Sequence, residues 1–286
     1  MERYGETLMY TESIRLKDVF PFLGEEGRDP VLDIYLPYNL KELHRENMKR
    51  PCMVICPGGA YLFCSELEQE PVALKFLSRG YNVFVLKYSV APHTYPSQLN
   101  EVAAVFELIY KNADKWNCDT GKTVLLGFSA GGHLAAHYSN AYAIPEVRKA
   151  FPDSKKPAAS VLCYPVITTD ERFSHKKSFR YLLGHEPNSE EKKRFSCELL
   201  VTSDTPPAFL WHTAKDENVP VQNSLLYAMA LAEQGIDYEL HIYPFGRHGM
   251  STADLETNDK IDFKESANAG WVSSVNHWLN IIFNNF

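Results

Sequence analysis

Three side chains in this sequence can form a nucleophile with its base and acid. Ser129 sits in Gly127-Phe128-Ser129-Ala130-Gly131-Gly132, so glycines flank it at the two outer positions of G-x-S-x-G. A serine hydroxyl is a weak nucleophile and needs an adjacent base. Of the ten histidines, His248 is placed best. It lies in YPFGRHGMS, between Gly246 and Gly249, where a loop can carry an imidazole back over a sheet end. The imidazole in turn needs a carboxylate to fix its tautomer and stabilise its charged form. Asp216, in WHTAKDENVPVQNS, is the expected partner. Asp170 and Glu171 could fill that place in a variant layout. This chemistry is acyl transfer through a covalent intermediate.

Attack on a carbonyl builds charge on its oxygen, and preplaced N–H donors stabilise it. The N–H of Ala130, directly after the nucleophile, is one candidate. Gly59 and Ala60, in the loop CPGGAY, supply the others. Among the remaining histidines, His133 lies one helical turn beyond Ser129 and is read as support, not as the base. His212 and His241 fall inside strands and are read as packed or hydrogen-bonded core residues. Tyr61, Phe128 and Trp211 either line a pocket or belong to the core. Arg247 is expected to lie in solvent.

These residues need a scaffold that brings them to one edge. Apolar runs suggest strands at VLDIYLP (from Val31), CMVIC (from Cys52), YNVFVLKY (from Tyr81), TVLLGF (from Thr123), ASVLCYP (from Ala159), AFLWHT (from Ala208) and YELHIYP (from Tyr238). Several are continuous in Val, Ile and Leu, as strands covered on both faces are. Amphipathic stretches lie between them, among them LNEVAAVFELIYKNADKW, NSLLYAMALAEQG and GWVSSVNHWLNIIF. That alternation predicts an α/β fold with a mostly parallel sheet. Ser129 then stands on a sharp strand-to-helix turn, where only small neighbours avoid the crossing chain. One domain spanning 1–286 is expected. The polar stretch 165–207 is too long for an ordinary connection and reads as a short cap-like insertion above the carboxyl ends of the strands.

Composition narrows the function classes. The chain has 286 residues, 45% hydrophobic, with a formal net charge of −7 and no basic block. That argues against nucleic-acid binding and against attachment to anionic membranes. The amino-terminal residues show no signal-peptide pattern, and no apolar run reaches a membrane-spanning length. Six cysteines without CxxC or zinc-finger spacing read as reduced structural thiols, so a cytoplasmic location and no metal are expected.

The stretches CPGGAY, GFSAGGHLAA, PPAFLWHTAKDENVPVQNS and YPFGRHGMS resemble those of α/β-hydrolase carboxylesterases. The similarity is to the branch of acetylxylan esterase-like and xylanase B-like proteins near the hormone-sensitive-lipase group. It runs from about residue 30 to the carboxyl end. The resemblance implies a core of about eight strands, a short cap, no cofactor and hydrolysis of small acyl esters, often acetyl groups on sugars. It assigns Ser129, Asp216 and His248 as the triad and Gly59, Ala60 and Ala130 as the oxyanion hole. The family's His-Gly-Gly-Gly loop is here Pro57-Gly58-Gly59-Ala60, and alanine keeps the N–H while narrowing the allowed dihedrals. The expected partner is a small ester, an acetylated sugar being one form, and a homo-oligomer is compatible with the sequence. Hydrolysis of small amides or peptides by the same triad stays open, as does a non-catalytic binding protein on the same fold.

Overall fold

The computed structural model describes residues 9–284. Its centre is a sheet of eight strands among the described residues: β1 (Met9–Arg15), β2 (Val31–Pro37), β3 (Arg50–Cys56), β4 (Asn82–Lys87), β5 (Cys118–Phe128), β6 (Ala159–Cys163), β7 (Ala208–Thr213) and β8 (Tyr238–Tyr243). The spatial order is β1-β2-β4-β3-β5-β6-β7-β8. β4 through β8 run parallel to one another, whereas β2 is antiparallel to both β1 and β4.

Alternate residues of the parallel strands feed two separate cores. Cys52, Val54, Phe84, Leu125, Leu162 and Leu210 face one side. There they pack on the helices Ser97–Lys111, Ser129–Ala141 and Gln222–Glu233. Met53, Ile55, Val83, Val124, Val161 and Phe209 face the other, against the helices Glu70–Leu77 and Trp271–Ile282. Both faces are covered, which is why these strands read as unbroken apolar runs. No helix among the described residues is long and apolar enough to cross a membrane.

Two elements differ from the expected pattern. β1 was not anticipated: it is an edge strand, MYTESIR, paired on one side and only partly buried, so its polar residues mask the strand signal. β5 begins at Cys118, five residues before the expected start, and its polar segment pairs with β3 across a register shift at Pro51/Cys52. The insertion at 165–207 carries the helices Lys176–Leu183 and Ser189–Phe195. Asn188 caps the second, accepting from the Glu190 and Glu191 N–H groups while the Glu191 carboxylate accepts from the Asn188 N–H. The exterior is polar, but Phe179, Leu182 and Phe195 are buried in the first core.

One buried carboxylate makes stability depend on pH. Glu101 is fully buried in the helix Ser97–Lys111, and its Oε2 accepts the Ser89 N–H at 2.7 Å. Burial pushes its pKa from 4.5 up to about 7, against hydrogen bonds from Ser89 and the charge of Arg28. With the folded value raised, the native state binds the extra proton between those two pH values. Stability from this group is therefore present at low pH and falls as pH rises through that window. Glu101→Gln is expected to gain on wild type by on the order of 2–3 kcal/mol between pH 4.5 and 8. Urea unfolding of both proteins at the two pH values measures that difference, and an unchanged gap contradicts the assignment.

Candidate active site

Three strand ends bring the predicted residues together. Ser129 follows β5 directly, Asp216 lies three residues beyond β7, and His248 lies five beyond β8. His248 Nε2 is 2.8 Å from Ser129 Oγ, and His248 Nδ1 is 2.6 Å from Asp216 Oδ2. The carboxylate can only accept, so Nδ1 carries the imidazole proton and Nε2 is left to accept from the serine hydroxyl. Asp170 and Glu171 are not brought here: they pair with Arg172 and Lys192 on the surface of the insertion.

The turn that presents Ser129 is sterically determined. Ser129 is held at φ +50°, in the sparsely populated left-handed region. A Cβ on Gly127 would lie 2.1 Å from Gly131 O, and one on Gly131 would lie 2.1 Å from Cys56 O. Neither position tolerates a side chain without moving backbone. Ala130 stands in the first turn of the helix behind Ser129, where N–H groups lack intrahelical partners.

The loop after β3 supplies the remaining candidate donors. Among the described residues, the N–H groups of Gly59 and Ala60 donate to no protein acceptor. Gly59 is at φ +126°, and a Cβ there would lie 2.0 Å from Phe63 O. Ala60 and Tyr61 follow at φ +57° and +61°, so two non-glycine residues in succession are left-handed. The alanine that replaces a family glycine is thus accommodated at a conformational cost.

Asp216 is buried and multiply bonded. Its Oδ1 accepts the Asn218 and Val219 N–H groups at 3.0 and 2.9 Å. His212 Nε2 lies 3.3 Å from Oδ2, and the same ring bonds Ser224 Oγ and Val219 O. Burial alone would push the Asp216 carboxyl up. Hydrogen bonds from His212, His248 and Val219, with the His248 charge, hold it well below the usual carboxylate range. His212 is a core histidine, as its strand position predicts, but its contact with the carboxylate was not foreseen.

His133 is fully buried and cannot reach Ser129 as a base. Its Nε2 donates to Phe195 O at 2.9 Å, so Nδ1 accepts the Tyr61 hydroxyl at 2.8 Å. It therefore ties the loop after β3 to the insertion. Burial pushes its pKa down to about 4, opposed by the bond to Phe195, and it stays neutral at neutral pH. His241 is half-buried on β8 and bonds Glu239.

The open cavity at Ser129 has a volume of about 420 Å³ and mixes apolar with charged walls. Phe63 and Leu67 contribute the apolar part, and His175, Lys177, Asn218 and Arg247 the polar part. Tyr61, Phe128 and Trp211 are all buried core residues, and Phe63, 56% exposed, is the aromatic wall instead. Arg247 does not simply extend into solvent. Its guanidinium donates to Asn258 Oδ1 at 2.6 Å and to His248 O at 3.2 Å. A neighbouring cavity of about 470 Å³ shares Asn218, Arg247 and His248 but does not reach Ser129.

The sequence profile of the BD-FAE family matches residues 32–231, well over half of the chain. The chain belongs to the BD-FAE family of α/β-hydrolases. Endo-1,4-beta-xylanase B of Butyrivibrio fibrisolvens is 40% identical over 78% of this chain and 36% of its own length. Acetylxylan esterase of Xylanibacter ruminicola is 33% identical over 72% of the chain and 42% of its own. The chain thus spans well under half the length of these two curated relatives. Among solved structures, an acetyl ester-xyloside bifunctional hydrolase from Caldicellulosiruptor lactoaceticus is 35% identical with a TM-score of 0.79, covering 95% of this chain and 96% of that one. The carboxylesterase Cest-2923 from Lactobacillus plantarum is 25% identical with the same TM-score of 0.79, covering 96% of this chain and 98% of that one. The expected fold class and family are both borne out.

Proposed function

We propose that this BD-FAE family chain is a serine carboxylesterase that removes small acyl groups, acetyl foremost, from hydroxyl-bearing alcohols such as sugars. The observation that carries it is the continuous chain of hydrogen bonds from Ser129 Oγ through His248 to Asp216. His248 takes the Ser129 proton as the hydroxyl attacks the acyl carbon, and Asp216 stabilises the imidazolium. The N–H groups of Gly59, Ala60 and Ala130 hold the oxyanion. His248 then protonates the departing alcohol, and water repeats the sequence on the acyl-enzyme.

Two considerations favour short acyl chains on polar alcohols. A groove that accepts a lipid gains about 0.8 kcal/mol for each methylene it buries. Here Phe63 and Leu67 share the cavity wall with His175, Lys177, Asn218 and Arg247, so a long chain would meet polar groups. Two relatives are also named for acetyl-ester or acetylxylan hydrolysis.

The test is kcat/KM for p-nitrophenyl esters from acetyl to decanoyl, below their micelle concentrations, and for acetylated xylo-oligosaccharides. Acetyl or propionyl esters are expected to be best and decanoyl esters poor. A maximum at eight carbons or longer points to a lipase. Failure on all esters, with turnover of N-formyl or N-acyl amides, replaces the esterase with an amidase.

A further inference from the structure

One buried carboxylate in the wall of the Ser129 cavity has no part in the triad. Glu68, 4% exposed, ends the short 3-10 turn Glu66–Glu68. Its Oε2 accepts the Gly58 N–H at 2.6 Å, and its Oε1 accepts the Tyr164 hydroxyl at 2.6 Å. Tyr164 Oη in turn accepts the Ser251 N–H at 2.9 Å, and Ser251 Oγ donates to Leu67 O at 2.5 Å. The Tyr164 ring meets the His248 ring edge-on, with centroids 5.1 Å apart.

Each segment joined by this network carries residues forced into the left-handed region. Ala60 and Tyr61 follow Gly58 at φ +57° and +61°, Tyr164 is at +37°, and Ser251 is at +52°. Such positions persist only where surrounding contacts over-determine them. The loop bearing the Gly59 and Ala60 N–H groups therefore needs an external anchor, and Glu68 is bonded at its root. There is no slack: a Cβ on Gly58 would lie 2.7 Å from Glu68 Oε2 and 3.0 Å from Ser129 Cβ.

We propose that Glu68 is a positioning residue for the transition state: its carboxylate anchors the loop that carries the oxyanion donors and holds a fixed negative charge beneath His248. Preorganised donors stabilise a developing charge without reorganising at the moment of reaction, which is where such an anchor acts. The charge is also felt at the imidazole. Burial leaves the Glu68 carboxyl above its ordinary value, although bonds from Tyr164 and Gly58 and the charge of His248 pull it down. The other groups around His248 include the Asp216 carboxylate, the Ser129 and Tyr164 hydroxyls, the Arg247 guanidinium, and the His175 imidazole with Lys177 beside it, and the neighbouring cavity adds Lys215, Glu217, Asp262, Lys264 and Glu265.

The proposal rests on the esterase reading, and its test separates the two. Wild type, Ser129→Ala, Glu68→Gln and Tyr164→Phe are compared for p-nitrophenyl acetate turnover across pH, with thermal melting of each. Glutamine keeps the shape and one acceptor for Gly58 but removes the charge. Glu68→Gln is expected to lower kcat roughly 100-fold with KM within about threefold, at the lower end of the range seen when one oxyanion donor is lost. Tyr164→Phe, which keeps the charge, should lower kcat by a smaller factor of roughly 3 to 10. A folded Glu68→Gln with kcat within threefold of wild type, or a loss confined to KM, overturns the proposal. If Glu68→Gln does not fold, unchanged kcat in Tyr164→Phe overturns it. If wild type hydrolyses no ester, the esterase reading has failed, and hydrogen exchange decides this one. Faster exchange at the Leu62, Phe63 and Ser65 amides, which bond the Gly58 and Gly59 carbonyls of this loop, in Glu68→Gln or Tyr164→Phe sustains the anchor, and unchanged protection refutes it.

Discussion

Ser129→Ala is expected to lower kcat for p-nitrophenyl acetate by roughly four to six orders of magnitude, the range seen when a serine nucleophile is removed from a comparable triad. The change deletes one oxygen whose recorded partner is His248 Nε2. It leaves the packing around a residue that is 7% exposed almost intact. Alanine bears the same left-handed strain at φ +50° as serine does, so the melting temperature and circular dichroism should match wild type. What remains is the background catalysis that the oxyanion donors and binding provide alone. A fluorophosphonate probe gives an independent readout, since wild type should gain one covalent adduct by intact mass and the variant none. A folded variant with more than about a tenth of normal turnover would place the nucleophile elsewhere.

How much could be read in advance follows from where each residue sits relative to the sheet. β3, β4, β6, β7 and the carboxyl half of β5 are covered on both faces, so their sequences are mostly apolar. Ser129, Asp216 and His248 were legible because each lies within a few residues of a strand end. Once the strands are parallel, chain order alone brings those ends to one edge. β1 was hidden because an edge strand with one partner keeps its polar residues. Glu68 was hidden for a different reason. It stands in SELEQE among Glu66 and Glu70 with nothing local to mark it, and only the fold brings Tyr164, 96 positions away, to its carboxylate. The aromatic wall was likewise decided by backbone conformation. The left-handed pair Ala60–Tyr61 turns the chain so that Tyr61 reaches His133 in the interior and Phe63 faces the cavity.

Asp216→Asn is the second large expected loss, and it tests the tautomer as well as the charge. Asp216 Oδ1 is committed to the Asn218 and Val219 N–H groups, so asparagine will keep its carbonyl there and place its amide nitrogen where Oδ2 stood. That nitrogen faces His248 Nδ1 as a donor, so the imidazole must accept at Nδ1 and carry its proton on Nε2. The proton then points at Ser129 Oγ and the base is gone. A loss of roughly three to four orders of magnitude in kcat at pH 7 is expected, with the fold retained. His212 also loses its carboxylate neighbour at 3.3 Å, but its bonds to Ser224 and Val219 persist and hold the strand end in place. The wild-type pH profile makes a linked expectation. Because the Asp216 carboxyl is held well below the usual range, it stays ionised throughout the working pH. Its stabilising contribution is present above the ordinary aspartate value and is lost only as pH falls towards the depressed one. The acid limb of kcat/KM must therefore not report a proton on Asp216. A two-proton limb, or an Asp216→Asn enzyme retaining more than about a tenth of wild-type turnover, would remove Asp216 from the role proposed for it.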